Sequence, residues 1–436
     1  MQSREGTDAA ARADFGTALA VWARIGLLSF GGPAAQIALM HRVLVDERRW
    51  LDERTFLSAL SFCMLLPGPE AMQLATYSGW RLHGVRGGLA AGLLFVAPGA
   101  LLVLTLSILY GAYGQTPPAA ALFTGVKAAV LAIVLEALVR LGGRALKGGI
   151  DWLVAAAAFI ALFFLALPFP LVVVAAAVAG YLRAPPLDAA PPAPAPTVPF
   201  SQTLRTILVW LAVWVVPLAA VVAVFGSDHV LAQIAWFFSK LAVVTFGGAY
   251  AVLAYMAQEV VAGYRWLTPG EMLDGLGLAE TTNGPLILVT EFVGYTAAHR
   301  FGGGNPVVMG LLGAVVTLWA TFAPCFLWIF AGAPYIERLT HAPRLSSALR
   351  TVTAAIVGVI GNLSAWFALH VLFGDVAERT FGPLRLLVPD PGSIDWAALA
   401  LSALALLLVF VVRAGIAVTL GACAGAALVW LRLAPV

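Results

Sequence analysis

Long apolar runs, separated by short polar turns that hold most of the arginines, recur from Phe15 almost to the last residue. A helix needs about 20 apolar residues to cross the hydrocarbon of a bilayer. Five runs in the middle of the chain read as such spans: Gly87 to Tyr113, Leu122 to Leu141, Trp152 to Leu167, Pro168 to Leu182 and Arg205 to Phe225. The predicted fold class is therefore an all-α polytopic membrane protein. One stretch departs from the pattern. Leu57 to Trp80 is apolar but is cut by Pro67-Gly68-Pro69 and followed at once by Glu70. Two prolines without N–H groups, the second pushing Gly68 out of the α region, cannot continue a helix. Within lipid such a break is tolerated only where the freed backbone groups face protein or a wet cavity, so the break is expected to line a binding site.

The pattern occurs twice. Phe30-Gly31-Gly32 returns as Phe246-Gly247-Gly248, and the offset of 216 residues then holds without a gap. It pairs Met40 with Met256, Arg49-Trp50-Leu51 with Arg265-Trp266-Leu267, and Gly68-Pro69 with Gly284-Pro285. After a small insertion at Phe301 to Asn305, Val126-Lys127 pairs with Leu349-Arg350 at an offset of 223. Chance apolar similarity does not place glycine, tryptophan and proline in one register, so the chain is a duplication. Residues 1–14 form a polar N-terminus with no apolar core, unlike a cleavable signal peptide. The first repeat covers 15–182, a proline-rich linker 183–204, and 205–436 hold an extra helix and the second repeat. The proline density of the linker favours an extended, solvated chain.

Five spans between the copies is an odd number, so the second copy enters the membrane from the opposite side. The expected architecture is two inverted-topology repeats with broken or re-entrant helices meeting near the membrane midplane. Loop charges give the orientation. Arg42 to Arg54, Arg81, Arg86, Arg140, Arg144, Lys147, Arg183 and Arg205 fall on one side; Gly114 to Pro118, uncharged, and Gly374 to Pro391, mildly acidic, fall on the other. This bias predicts a cytoplasmic N-terminus. The clusters Arg42 to Arg54 and Arg81 to Arg86 flank the Pro-Gly-Pro stretch, which fits a hairpin that turns back after ~16 Å, about half the hydrocarbon core. A broken single span is the alternative.

Composition narrows the function. With 61% hydrophobic and 11% charged residues, no soluble domain of useful size is left over. The net charge of +3 is small, and arginine-bearing turns are explained by orientation without any nucleic-acid partner. Cys63, Cys325 and Cys423 are odd in number and scattered, which indicates neither a disulfide framework nor a metal site. No Walker motif, HExxH or Gly-x-Ser-x-Gly occurs, so no cofactor, ATP-driven step or enzymatic activity is expected.

The candidate chemistry gathers at the breaks. Arg24 and Lys240 each lie six residues before a Phe-Gly-Gly, so both copies carry a cation there. A cation at membrane depth usually faces a cavity or a partner, and this pair suits an anion; snorkelling to the interface is the other reading. Gly31, Gly32, Pro33, Gly247, Gly248, Gly68, Pro69 and Gly284 suit half-helices starting after each break, whose unpaired N–H groups and positive dipole end attract an anion. Ser29, Thr245, Thr281, Thr282 and Asn283 add hydroxyl and amide donors. Glu70, Glu280 and Glu291, with Glu136 in the run Leu122 to Leu141, are carboxylates in apolar runs and candidates for proton coupling or for structural pairing with Arg24, Lys240 or Lys127. Gln73 shares a helix face with Glu70. Trp50 and Trp266 read as interfacial anchors.

Taken with SFGGPAAQIALMHRVLVDERRW (Ser29 to Trp50), FCMLLPGPEAMQLATYSGW (Phe62 to Trp80), SKLAVVTFGGAYAVLAYMAQ (Ser239 to Gln258) and LTPGEMLDGLGLAETTNGPLILVTEFVGY (Leu267 to Tyr295), the chain resembles the chromate ion transporter family in its long, two-copy form. The resemblance implies a cytoplasmic-membrane permease that exports chromate, a tetrahedral dianion, under the proton gradient or membrane potential and so confers chromate resistance. Sulfate has the same charge and shape. The family pattern falls on Phe30-Gly31-Gly32-Pro33, Pro67-Gly68-Pro69-Glu70 and Gly284-Pro285; Asn283 stands where proline is usual and Glu291 where glutamine is usual. The expected partners are a chromate- or sulfate-like oxyanion, protons and the lipid bilayer, with a homodimer as the assembly kept in view. The alternatives are an uptake permease for sulfate or another anion, and a passive anion channel.

Overall fold

The computed structural model describes residues 14–184, 198–244, 246, 249–336 and 343–433. Thr245, Gly247, Gly248 and most of the proline-rich linker lie outside the described residues. The first copy supplies α1 (Phe15–Leu28), α2 (Gly32–His41), α3 (Glu53–Leu65), α4 (Glu70–Tyr113), α5 (Pro117–Ala145), α6 (Gly149–Phe163) and α7 (Phe169–Leu182). The extra helix α8 (Phe200–Phe225) follows. The second copy supplies α9 (Val230–Val244), α10 (Ala249–Gln258), α11 (Pro269–Thr281), α12 (Val289–Phe301), α13 (Pro306–Gly332), α14 (Pro343–Leu372), α15 (Trp396–Leu406) and α16 (Ile416–Leu433). Among the described residues, five helices (α4, α5, α8, α13 and α14) are long and apolar enough to cross a membrane, as a polytopic membrane protein requires. α6 and α7, read from the sequence as full spans, have 15 and 14 residues, or ~22 Å each. They are split at Leu165 to Pro168, where Ala166 takes a φ of 49°.

Short polar side chains start the helices as capping physics demands. Asp14 accepts from Gly16 N, Asp52 from Thr55 N, Asn305 from Val307 N and Asp395 from Ala398 N. The duplication is repeated in the backbone itself. α2 and α10 both run on into a π-helical turn, Arg42–Glu47 and Glu259–Gly263. Each turn is closed by an arginine in the left-handed region, Arg49 at φ 52° and Arg265 at φ 54°. Arg48 N donates to Val43 O and Trp50 N to Leu44 O; Tyr264 N and Trp266 N repeat these bonds to Glu259 O and Val260 O. This turn carries both tryptophans inward, to 7% and 3% exposure, which corrects the reading of Trp50 and Trp266 as interfacial anchors. A second departure from the sequence reading is a β-hairpin in the loop after α14: β1 (Val376–Phe381) pairs antiparallel with β2 (Leu384–Pro389), register Phe381 to Leu384. Gly382 at φ 60° makes the tight turn.

The chain divides into two compact units, and each takes segments from both copies. The first contains the described residues of Met1–Thr105, Pro185–Ala249 and Thr282–Ser346; the second those of Leu106–Ala184, Tyr250–Thr281 and Ser347–Val436. In the first unit, α4 is bent at His83 and Gly84, whose backbone angles are non-helical. The half-helix before the bend turns back on the rest through Gly79 and Gly87, where a Cβ on either would overlap the backbone of the other. α12 and α13 meet in the same way through Gly294 and Gly313. Small residues thus allow backbone-to-backbone approach in both copies. In the second unit the copies exchange partners: α5 packs on α15 and α16, while α14 lies against α6 and α7 through Gly180 and Gly358.

Candidate functional site

The first unit joins helix breaks belonging to different copies. Between α1 and α2 the chain turns at Ser29 to Gly31, with Gly31 at φ 85° and Gly32 at φ 76°. Such angles suit glycine, which has no Cβ to clash. Between α11 and α12 it turns at Thr282 to Pro285, with Gly284 at φ 88°. Gly284 N donates to Ser29 O at 2.8 Å. Gln36 on α2 donates through Nε2 to Gly284 O at 2.6 Å and to Ser29 O at 3.3 Å. Asn283 Nδ2 reaches Gly26 O and Leu27 O at 3.4 and 3.5 Å. Ser29 itself bonds Ile25 O through its hydroxyl.

The remaining break of the first copy, Leu66 to Pro69, is held differently. Gly68 has φ 118°, and Gln73 folds back to donate from Nε2 to Pro67 O at 2.7 Å. A Cβ on Gly68 would come within 2.9 Å of Cys325 Sγ, on α13 of the other copy. The reciprocal contact is made by Gly99 on α4, where a Cβ would overlap the carbonyl oxygen of Asn283. Each long helix, one residue past its proline (Pro98 and Pro324), is thus seated against the break of the opposite copy.

Two kinds of group result. α2 begins at Gly32-Pro33 without a side-chain cap, and the turn Leu286–Leu288 before α12 also lacks one. Backbone N–H groups at such starts are donors suited to an anion. The side-chain amides are used up as donors to the broken backbone, and their oxygens remain. Gln36 Oε1, Gln73 Oε1, Asn283 Oδ1 and both carboxylate oxygens of Glu291 have no hydrogen-bond partner, on residues no more than 5% exposed. These are acceptors, and they suit a proton or cation.

Other expected residues fall as follows. Arg24 is exposed, off the stripe Ala18, Val21, Trp22 and Ile25 that α1 buries. Lys240 is half-buried, with Nζ 5.9 Å from the Phe237 ring centroid, at the outer limit of a cation–π contact. Glu70 is half-buried and opens α4. Thr282 is buried, whereas Thr281 is exposed and bonds Leu278 O. Glu280 belongs to the second unit, where it accepts a hydrogen bond from Tyr250 at 2.9 Å. Glu136 pairs with Arg140 at 3.3 Å. Lys127 pairs with Asp274 rather than with a glutamate. Sequence reasoning passes over Gln36, Gly99, Cys325 and Asp274. Gln36 and Asp274 were open to the same argument that singles out Glu70, a polar group inside an apolar run; Gly99 and Cys325 carry no such signal.

A family model described as chromate transporter matches residues 17–181 and 232–428. Among curated proteins, the chain is 34% identical over 346 residues to a chromate transport protein of Pseudomonas aeruginosa, covering 78% of this chain and 77% of that one. It is 30% identical over 357 residues to a chromate transport protein of Cupriavidus metallidurans, covering 77% and 78%. A probable chromate transport protein of Synechococcus elongatus is 30% identical over 388 residues, covering 86% and 92%. No solved structure matches.

Proposed function

The chain belongs to the chromate transporter family, whose members are membrane transporters and not enzymes, and from this we propose that it exports chromate across the cytoplasmic membrane and confers chromate resistance. The observation that carries the reading is the bonding of Gly284 to Ser29 and Gln36, which joins a helix break of one copy to a break of the other. A tetrahedral dianion is held there by backbone N–H groups at the starts of half-helices, with Ser29, Gly31, Gly32, Pro33, Thr282, Asn283 and Gly284 forming one half of the site. Gly68 and Pro69 form the other, and Arg24 and Lys240 supply positive potential. The repeats are inverted, so the breaks approach the midplane from opposite faces.

The driving force follows from charge. Exporting two negative charges through an inside-negative potential gains ~4.6 kcal/mol per 100 mV. Glu70, Glu280 and Glu291 couple the step to protons. The partnerless acceptors support this part of the reading, because a buried amide or carboxylate oxygen without a donor attracts a proton. The N-terminus is cytoplasmic.

The test is transport by purified protein in liposomes, with chromate and sulfate competing at two pH values, together with everted vesicles. Everted vesicles should accumulate labelled chromate under an imposed gradient. Absence of accumulation defeats export; preference for sulfate in the inward direction supports an uptake permease instead.

A further inference from the structure

The second unit holds a charge pair for which the site above has no use. Lys127 Nζ on α5 lies 3.1 Å from Asp274 Oδ1 on α11, and Tyr110 donates its hydroxyl to Asp274 Oδ2 at 2.8 Å. With side-chain exposures of 25% and 8%, the pair is largely buried. Lys127 stands ten residues into α5, ~15 Å along it, near half the thickness of the hydrocarbon. The lysine comes from the first copy and the aspartate from the second. A lysine at that depth needs a partner, and Asp274 supplies one.

Pairing alone leaves one feature without a reason. Lys127, but not Asp274, also lines a cavity of about 120 Å³ together with Thr124, His370, Phe373 and Asp395. A water needs only ~10–15 Å³ of such space, so the cavity has room for several waters or for a four-oxygen anion. A purely structural ion pair gains nothing from such a cavity.

We propose that Lys127 is the cation of a second oxyanion position, held shut by Asp274 and opened when Asp274 takes up a proton; this rests on the transport reading above. With Asp274 ionised, the pair has no net charge, and an anion entering the cavity meets a neutralised Lys127 beside the carboxylate of Asp395. One proton from water converts the Asp274 carboxylate to its neutral acid. The pair then carries one positive charge, on Lys127, which neutralises one charge of the bound anion. The titratable groups around the pair are Tyr110 on α4, Glu271 one turn earlier on α11, His370 on α14, Asp395 at the start of α15 and Cys423 on α16. Glu271 is engaged with Thr268 N and Oγ1, and Asp395 with Ala398 N. Asp274 is the carboxylate in direct contact with Lys127.

The test is equilibrium binding of chromate to the purified full-length protein. At pH 8, Asp274→Asn should tighten binding at the second position by roughly 5- to 150-fold, the usual range of coupling between linked sites. Lys127→Met should abolish that position. A merely structural pair predicts weaker binding in both variants, and that result overturns the proposal. Should Asp274→Asn not fold, the wild type decides: chromate bound per chain should rise toward two equivalents as the pH falls from 8.5 to 7. Equal stoichiometry at both values overturns the lock while leaving the transport reading intact. A wild type that binds no chromate at either pH overturns the transport reading itself.

Discussion

Gln36 Nε2 donates to Gly284 O at 2.6 Å across 248 residues of sequence, and this bond fixes where one copy's break sits on the other's. Both residues are buried. Gln36→Leu keeps the size of the side chain but leaves the Gly284 carbonyl without that donor, which costs ~1–3 kcal/mol for a buried group. Thermal unfolding in detergent should show the loss, and chromate transport should fall with it. A variant as stable and active as the wild type would remove the bond from the site.

Glycines can be sorted by what a methyl group would meet. Gly99→Ala would push a Cβ into the Asn283 carbonyl, whereas Gly143→Ala on α5 meets nothing within 4 Å. The first should destabilise by ~1–3 kcal/mol through overpacking. The second should be neutral or stabilise by up to ~1 kcal/mol, since alanine is the better helix former. Comparison of the two midpoints in one unfolding assay checks the order, which reverses if Gly99 is not a contact point.

How far the sequence carries is visible in these residues. The duplication was legible because it leaves a constant offset, and the matching left-handed Arg49 and Arg265 show that the offset extends to backbone angles. The helix breaks at Gly31, Gly68 and Gly284 were legible because proline and glycine leave the backbone little choice. What joins them was not. Gln36 finds its acceptor 248 residues away, and no local pattern names a partner at that distance. Trp50 and Trp266 misled because tryptophan beside arginine is the sign of an interface, while the turn that buries them depends on bonds six residues back.

Glu291 is fully buried, and neither of its carboxylate oxygens has a hydrogen-bond partner. A charge in that position costs several kcal/mol unless something positive accompanies it. Glu291→Gln keeps the shape and removes the charge, so stability should hold or rise. If Glu291 carries a coupling proton, the same variant should lose the pH dependence of chromate transport. A Gln variant with the wild-type pH profile in liposomes excludes it from coupling.

The end of α2 carries a pH-dependent contribution to stability. His41 Nε2 lies 2.7 Å from Glu53 Oε2, and Nδ1 lies 3.4 Å from Asp46 Oδ2. The hydrogen bond to Glu53, followed by its charge and that of Asp46, raises the His41 pKa above the ordinary 6.5. A raised pKa means that the stabilisation is complete below pH 6.5 and is lost as pH rises through the folded-state value. Stability should therefore decline as pH rises above 6.5, by an amount that Glu53→Gln reduces. Asp52 acts in the opposite sense. Thr55 N–H and Oγ1 hold its carboxylate below the usual range, so its contribution appears above that range and is lost in acid.

Pro217 interrupts α8 and has no N–H to give to the carbonyl four residues back, that of Val213. In lipid no water takes its place. The indole of Trp319 on α13 does so instead, with Nε1 at 3.1 Å from Val213 O and 3.3 Å from Trp214 O. This makes a double-mutant cycle informative. Trp319→Phe keeps the aromatic packing and removes the donor, at an expected ~1 kcal/mol. In a Pro217→Ala background the helix recovers its own donor, and the same Trp319→Phe change should then cost much less. A coupling energy near zero would mean that the tryptophan contributes by packing alone, and that α8 is held against α13 without this bond.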